Sequence, residues 1–158
     1  MLGTVYIETT IPSYYCETRR SPAIAAWREA TRTWWHNYRA AYDLFTSAYV
    51  LAELRRAPAA KARLAQQLLA GVPILDEPPG VQDVVAYYIA HRLMPADALG
   101  DAAHLALASM HGVKFLLTWN CRHLANANKV QHIAVLNARL GLPVPIVTTP
   151  LELIPEEL

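Results

Sequence analysis

The chain has 158 residues, of which 54% are hydrophobic and 17% are charged, and its formal net charge is +1. A chain of this length buries enough surface to fold as one domain, so we expect a single domain over 1–158. The small net charge argues against broad, nonspecific coating of nucleic acid, which requires a large basic excess. It still allows a local basic rim around an acidic pocket, although these side chains are more often ordinary solvated helix charges; the candidates are Arg19, Arg20, Arg55, Arg56, Lys61, Arg63, Arg122 and Lys129. The longest stretches without Asp, Glu, Lys or Arg are twelve residues each, 102–113 and 140–151. Both stretches are too short for a membrane-spanning helix.

The N-terminus and the cysteines bear on the cellular compartment. Met1–Ile7 contains no basic region, and Glu8 follows it directly. This pattern is not that of a secretory signal, so we expect a cytoplasmic protein. Cys16 and Cys121 are isolated and belong to no CxxC pattern, so we assign them no chemistry.

Apolar runs rich in β-forming residues alternate with segments of helical periodicity. The predicted strands are 5–7, 44–47, 72–75, 115–118 and 146–148. The predicted helices are 22–42, 49–54, 59–69, 81–93, 97–109 and 126–140. Residues 8–13 are predicted to form a loop that carries a proline at a helix start. Because strands and helices alternate, the chain predicts an α/β fold with a central parallel sheet and helices on both faces.

Four polar residues stand directly after predicted strands or in the first turns of the helices that follow: Glu8, Glu53, Asp101 and Asn120. Ligands of open parallel sheets bind beyond the carboxyl ends of the strands, so these residues are expected at one edge. Three carboxylates that meet there repel one another unless a cation lies among them. Oxygen donors favour Mg²⁺ or Mn²⁺ over zinc. We therefore predict a metal site of Glu8, Glu53 and Asp101.

Three of the four residues have ordinary structural alternatives. Glu8 can be a surface acid at the end of a strand. Glu53 can pair with Arg56 at helical spacing. Asn120 can cap the turn after its strand, and for this residue alone the cap is the favoured interpretation.

Asp101 is the strongest single candidate because Asp97 lies four residues before it in the same predicted helix. Like charges on one helix face cost about 0.2–0.5 kcal/mol, so an unopposed pair suggests a function. Asp97 is explained as a cap or first-turn acid, and its role at the site stays open. His104, His123 and His132 are interpreted as core or surface histidines rather than as ligands.

Four segments resemble, in sequence and order, the acidic motifs of PIN-domain proteins, and most closely those of VapC-type toxins: Val5–Thr10, Ser47–Leu54, Gly100–Ala106 and Leu116–Asn120. The resemblance implies a three-layer PIN-like fold and an endoribonuclease that hydrolyses RNA phosphodiesters with Mg²⁺ or Mn²⁺. It also implies that the four polar residues form the catalytic set. The expected partners are RNA, a second copy of the chain in a homodimer, and an antitoxin protein.

Two of the four motif positions depart from the family pattern. Glu8 stands where the family usually has Asp, and it keeps the charge. Asn120 also stands where the family usually has Asp, and it brings no charge, so we expect one metal rather than two. The alternative hypothesis is a catalytically silent PIN-like module that binds nucleic acid or protein. A nucleotide-binding domain is the least favoured hypothesis, because neither GxGxxG nor GxxxxGK[ST] occurs.

Further expectations concern the surroundings of the site and the surface. Thr9 and Thr118 are expected to orient the metal ligands through hydrogen bonds. Trp34 and Trp35 are adjacent, and we predict that at most one of the two rings faces inward. The exposed ring would then contribute to the homodimer interface. The alternative is that the rings form the core under the longest helix, and for Trp27 and Trp34 this interpretation is equally favoured.

Overall fold

Five short strands form one parallel sheet in the computed structural model, which describes residues 1–156. The strands are β1 (Thr4–Ile7), β2 (Asp43–Ser47), β3 (Ile74–Leu75), β4 (Phe115–Leu117) and β5 (Ile146–Thr148). Their order across the sheet is β3-β2-β1-β4-β5. In the centre, Tyr6 of β1 pairs with Phe45 of β2 on one side and with Leu116 of β4 on the other. The predicted parallel sheet is confirmed.

The connections between the strands are helical. The helices are α1 (Thr10–Tyr15), α2 (Pro22–Asn37), α3 (Ala48–Leu54), α4 (Ala59–Leu68), α5 (Val81–Ala90), α6 (Leu99–Met110) and α7 (Val130–Leu140), with short 3₁₀ turns at Arg39–Ala41 and Ala127–Lys129. Within residues 1–156, no helix has the length and apolar character that a membrane crossing requires.

The strand order determines the layers. The chain runs from β1 outward to β2 and β3, then returns past β1 to β4 and continues outward to β5. Right-handed crossovers therefore put α1 to α4 on one face of the sheet and α5 to α7 on the other. The direction of winding reverses between β1 and β4, and the crevice beyond the carboxyl ends of these strands is the usual ligand position in such sheets. Glu8 follows β1, and Asn120 lies three residues after β4.

The start of the chain differs from the prediction at two helices. Thr10–Tyr15 forms the short helix α1, with Pro12 in its first turn, where a missing N–H breaks no helical hydrogen bond. Helix α2 ends at Asn37 rather than near Tyr42. The chain instead turns through Arg39–Ala41 into β2.

The two adjacent tryptophans are both buried, so the prediction that one of them faces outward is wrong. Trp34 is 0% exposed and Trp35 is 4% exposed. The indole N–H of Trp34 donates to the backbone oxygen of Leu153 at 2.7 Å. Trp35 packs edge-on against Tyr15 and beneath the guanidinium of Arg39. The C-terminal segment and the turn after α2 thus cover both rings, and neither remains to anchor a dimer.

Candidate metal centre

Glu8 is almost fully buried at the end of β1, with 2% of its surface exposed. Its Oε2 accepts hydrogen bonds from the backbone N–H of Thr10 at 3.1 Å, from Thr10 Oγ1 at 2.5 Å and from Thr118 Oγ1 at 2.7 Å. The contact expected from Thr118 is confirmed. Burial raises the pKa of Glu8 above its ordinary value, although His104 and these hydrogen bonds oppose the rise. A buried carboxylate of this kind gains stability from a nearby cation.

Glu53 lies near the end of α3 and faces His104 of α6. Nε2 of His104 is 2.6 Å from Oε1 of Glu53, and the imidazole is fully buried. Burial acts to raise the pKa of Glu53, but the hydrogen bond and charge of His104 outweigh it, so this pKa lies below its ordinary value. Burial likewise acts to lower the pKa of His104, but the two glutamates hold it above its ordinary value.

Glu8, Glu53 and His104 form a cluster of possible metal donors. Each offers one ligand atom, and these atoms all lie within 4.8 Å of one another. Oε1 of Glu8, which takes no part in the three hydrogen bonds to Oε2, is 4.0 Å from Nε2 of His104. Two carboxylates gathered in a buried position are a donor set that suits a hard divalent cation. The residues present therefore fit the predicted metal.

Asp101 and Asn120 each form a hydrogen bond with His123. Within residues 1–156, the cluster of possible metal donors does not include Asp101. Oδ2 of Asp101 is 2.8 Å from Nδ1 of His123. Oδ1 of Asn120 accepts a hydrogen bond from the backbone N–H of His123 at 2.9 Å. Asn120 therefore caps the turn after β4, as its structural alternative proposed. The assignments of Asp101 and Asn120 to the metal site stay predictions.

Asp97 and Asp101 do not share a helix face, so the prediction that rested on their repulsion is wrong, although Asp101 lies beside the site. Helix α6 begins at Leu99, so Asp97 precedes the helix rather than sharing a face with Asp101. Asp101 is in the first turn, where the positive end of the helix dipole favours a carboxylate.

A cavity of about 580 Å³ opens beside the cluster, between α3, α5 and the start of α6; the residues that line it include Tyr49, Glu53, Arg56, Gln82, Asp97, Leu99, Gly100 and Asp101. Two of the predicted metal ligands, Glu53 and Asp101, thus share its wall with one arginine. Gly100 allows the close packing there, because a Cβ at this position would lie 3.1 Å from Oε1 of Glu53. Lys129, a candidate for a basic rim, instead donates to the backbone oxygen of Leu93 at 2.7 Å.

The sequence interpretation missed His104 as part of the site. The available signal was its spacing, because a residue three positions after Asp101 lies on the same face of a helix. A lone histidine among alanines and leucines does not, however, indicate which residues lie opposite. Its neighbours Glu8 and Glu53 come from other elements, so only the tertiary structure brings the three together.

Comparisons with known proteins bear on the fold. No protein-family model matches the chain, and a comparison with curated proteins gives no match. Among solved structures, the chain is similar to one in the crystal structure of FitAcB from Neisseria gonorrhoeae, with a TM-score of 0.52 and 20% sequence identity. The alignment covers 94% of this chain and 99% of that chain. At this identity the likeness concerns the fold, and it confirms that the chain has the predicted three-layer, PIN-like α/β fold.

Proposed function

We propose that this protein is a metal-dependent endoribonuclease. The observation that carries the proposal is the convergence of Glu8 and Glu53, from different elements of the fold, within 4.8 Å at the edge of a parallel sheet. Glu8 is buried and Glu53 is partly buried, and two acids held this close repel one another unless a cation lies near them. The resemblance of the four motif segments to PIN-domain nucleases supplies the reaction class.

In this proposal Glu8 and Glu53 hold a Mg²⁺ or Mn²⁺ ion, and Asp101 contributes from the cavity wall. When bound, the ion supplies Lewis-acid activation of water and stabilises the charge that develops on a phosphate. Thr10 and Thr118 fix one oxygen of Glu8 through their hydrogen bonds and leave Oε1 for the ion. Hydrolysis of the phosphodiester gives a 5′-phosphate and a 3′-hydroxyl.

We propose that the substrate is bound as single-stranded RNA in the cavity beside the carboxylates. Single-stranded RNA is bound through phosphate charges and through contacts to its bases and sugars. Arg56 is on the cavity wall beside Glu53, where a guanidinium can pair with a phosphate oxygen. We propose that Arg56 binds the backbone of the RNA next to the cleaved bond.

We further propose that the protein is the toxin of a toxin–antitoxin pair and works as a homodimer. The support is the resemblance to VapC-type toxins. Expression of the chain alone should arrest bacterial growth, and co-expression of the small protein encoded beside it should restore growth. A harmless monomer would remove this part of the proposal and leave the nuclease standing.

The decisive experiment is cleavage of a mixed RNA pool by the purified protein with Mg²⁺, with Mn²⁺ and with a chelator. We expect cleavage only with metal, and its loss in Glu8→Gln and Asp101→Asn. Glu29→Gln is the matched control, because Glu29 is an exposed acid of α2 that forms ion pairs with Arg28 and Arg32. Metal-dependent cleavage that survives in both site variants would contradict the assignment.

A catalytically silent binding module is the second candidate. It is favoured by Asn120, which brings no charge and uses its side-chain oxygen to cap the turn at His123. Absence of cleavage with either metal, together with retained RNA binding, would support this candidate instead.

A further inference from the structure

A buried chain of hydrogen bonds leads from the interior of the sheet to Glu53. Ser47 Oγ and Tyr6 Oη are 2.6 Å apart, and Tyr6 Oη is 2.7 Å from Nδ1 of His104. The imidazole then reaches Oε1 of Glu53 through Nε2 at 2.6 Å. Tyr6 and His104 are fully buried and Ser47 is 1% exposed. Every member of this chain except Glu53 is thus shielded from competing water.

The carboxylate determines where the imidazole carries its proton. An ionised carboxylate only accepts hydrogen bonds, so an atom 2.6 Å from Oε1 of Glu53 must be a donor. Nε2 of His104 therefore bears hydrogen in both the neutral and the charged imidazole. A protonated ring nitrogen has no lone pair to give to a metal. As long as this contact is kept, His104 serves Glu53 and is not itself a metal ligand.

The same chain also links the two ends of α3. Ser47 is the N-cap of α3, and its Oγ accepts the N–H of Val50 at 3.3 Å. Glu53 lies one turn further along this helix, with 30% of its side chain exposed. A partly exposed glutamate samples several rotamers, and fixing it in one of them costs entropy. A rigid donor on α6 holds the carboxylate in a single orientation.

We propose that His104 is a positioning residue, which Tyr6 and Ser47 hold in place and which orients Glu53 toward the metal. This inference rests on the proposed function, because it assumes that Glu53 binds a metal ion. It differs from the simplest interpretation of the cluster, in which Glu8, Glu53 and His104 all ligate the ion. The two arrangements predict different results for the same variants.

The first test needs no metal. In the metal-free protein, the ¹⁵N chemical shifts of the His104 imidazole distinguish a protonated Nε2 from a bare one. We expect hydrogen on Nε2 in the wild type. A bare Nε2 with hydrogen only on Nδ1 would overturn the proposal.

The second test is Mn²⁺ affinity, measured by calorimetry. Loss of such an indirect partner typically weakens metal binding about 10- to 100-fold, and we expect a loss of this size in His104→Leu and in Tyr6→Phe. His104→Gln keeps an N–H donor and should recover part of the affinity. Tyr88→Phe is the matched control, because the buried hydroxyl of Tyr88 bonds Asn137 and Ser109 instead. That variant should bind Mn²⁺ as the wild type does.

The outcomes separate this inference from the proposed function. If the wild type binds no Mn²⁺, the proposed function fails and the inference fails with it. If the wild type binds Mn²⁺ and both His104→Leu and Tyr6→Phe bind it equally well, only the inference fails. Tyr6→Phe decides the question if His104→Leu does not fold. Nitrogen coupling to bound Mn²⁺ in spin-echo spectra that vanishes in His104→Gln would make His104 a ligand and overturn the proposal.

Discussion

Replacing Glu8 by Gln should separate the two effects of this carboxylate, its cost in the metal-free protein and its contribution to metal binding. Gln keeps an oxygen that can accept the hydrogen bonds from Thr10 and Thr118. The substitution therefore removes the charge and little else. It tests the electrostatic account of the site without creating a cavity.

The expected loss of affinity follows from Coulomb's law. The candidate ligand atoms of Glu8, Glu53 and His104 all lie within 4.8 Å of one another, so an ion among them would lie within that distance of Oε1 of Glu8. A unit charge pair at about 4 Å contributes about 4 kcal/mol at an effective dielectric near 20. Removing it weakens metal binding by roughly three orders of magnitude before desolvation is counted.

The assay is thermal unfolding with and without Mn²⁺ at about 100 times the wild-type dissociation constant. Binding then stabilises the wild type by about 2.7 kcal/mol, which raises Tm by roughly 5–10 °C for a chain of this length. The variant at the same Mn²⁺ concentration gains less than about 0.1 kcal/mol. An equal shift of Tm in both proteins would show that Glu8 does not bind the ion.

The metal-free proteins give a second readout of the same substitution. Burial raises the folded-state pKa of Glu8 above its unfolded value. Ionisation therefore destabilises the folded protein, so its free energy of unfolding falls as the pH rises above about 4.3. Gln at position 8 cannot ionise, so Glu8→Gln avoids this loss of stability. The metal-free variant should therefore unfold at a higher temperature than the wild type at neutral pH. A lower Tm would mean that the hydrogen bonds to the charged carboxylate dominate.

Three further predictions concern other residues. Asn120→Asp keeps the acceptor for the N–H of His123 and adds a charge, so Mn²⁺ affinity measured by calorimetry should rise; an unchanged affinity would place Asn120 away from the ion. Asp101→Asn should abolish RNA cleavage in a gel assay while circular dichroism shows an intact fold, and full activity would exclude Asp101 from the site. Hydrogen bonds from Arg19, together with Lys61, hold the pKa of Glu17 well below its usual range. Because a lowered pKa stabilises the folded state above the unfolded pKa, Glu17→Gln should lower Tm at neutral pH, and the difference from the wild type should shrink as the pH falls below about 4. A difference in Tm that does not depend on pH would contradict this account.

Periodicity and strand composition were sufficient to predict the sheet, because these signals are local. Each of the predicted strands is present, although 72–75 is reduced to Ile74–Leu75. The helix ends were less predictable, since the end of α2 depends on where the chain must enter β2. Local pattern also failed for Trp34 and Trp35. Trp34 is buried beneath the distant segment around Leu153. Trp35 is covered by Tyr15 and Arg39.

The candidate site was predictable only in part. The position of Glu8 follows from the end of β1 and the rule for parallel sheets. The role of His104 depends on its contact with Glu53, 51 positions away in the sequence. The cap formed by Asn120 was among the alternatives that its sequence position allowed, but its donor is the backbone of His123. Contacts of this kind depend on the path of a loop, which composition and spacing do not determine.

The absence of a side chain at Gly100 lets the start of α6 lie close to the Glu53 carboxylate. Gly100 is the second residue of α6, and its backbone lies close enough to Glu53 that an added Cβ would be 3.1 Å from the carboxylate. The unpaired N–H groups at the start of a helix carry a fixed partial positive charge. This charge neither titrates nor dissociates, so it offsets part of the repulsion between the acids at every pH. The start of α6 therefore lowers the electrostatic cost of the acidic pocket in the metal-free protein.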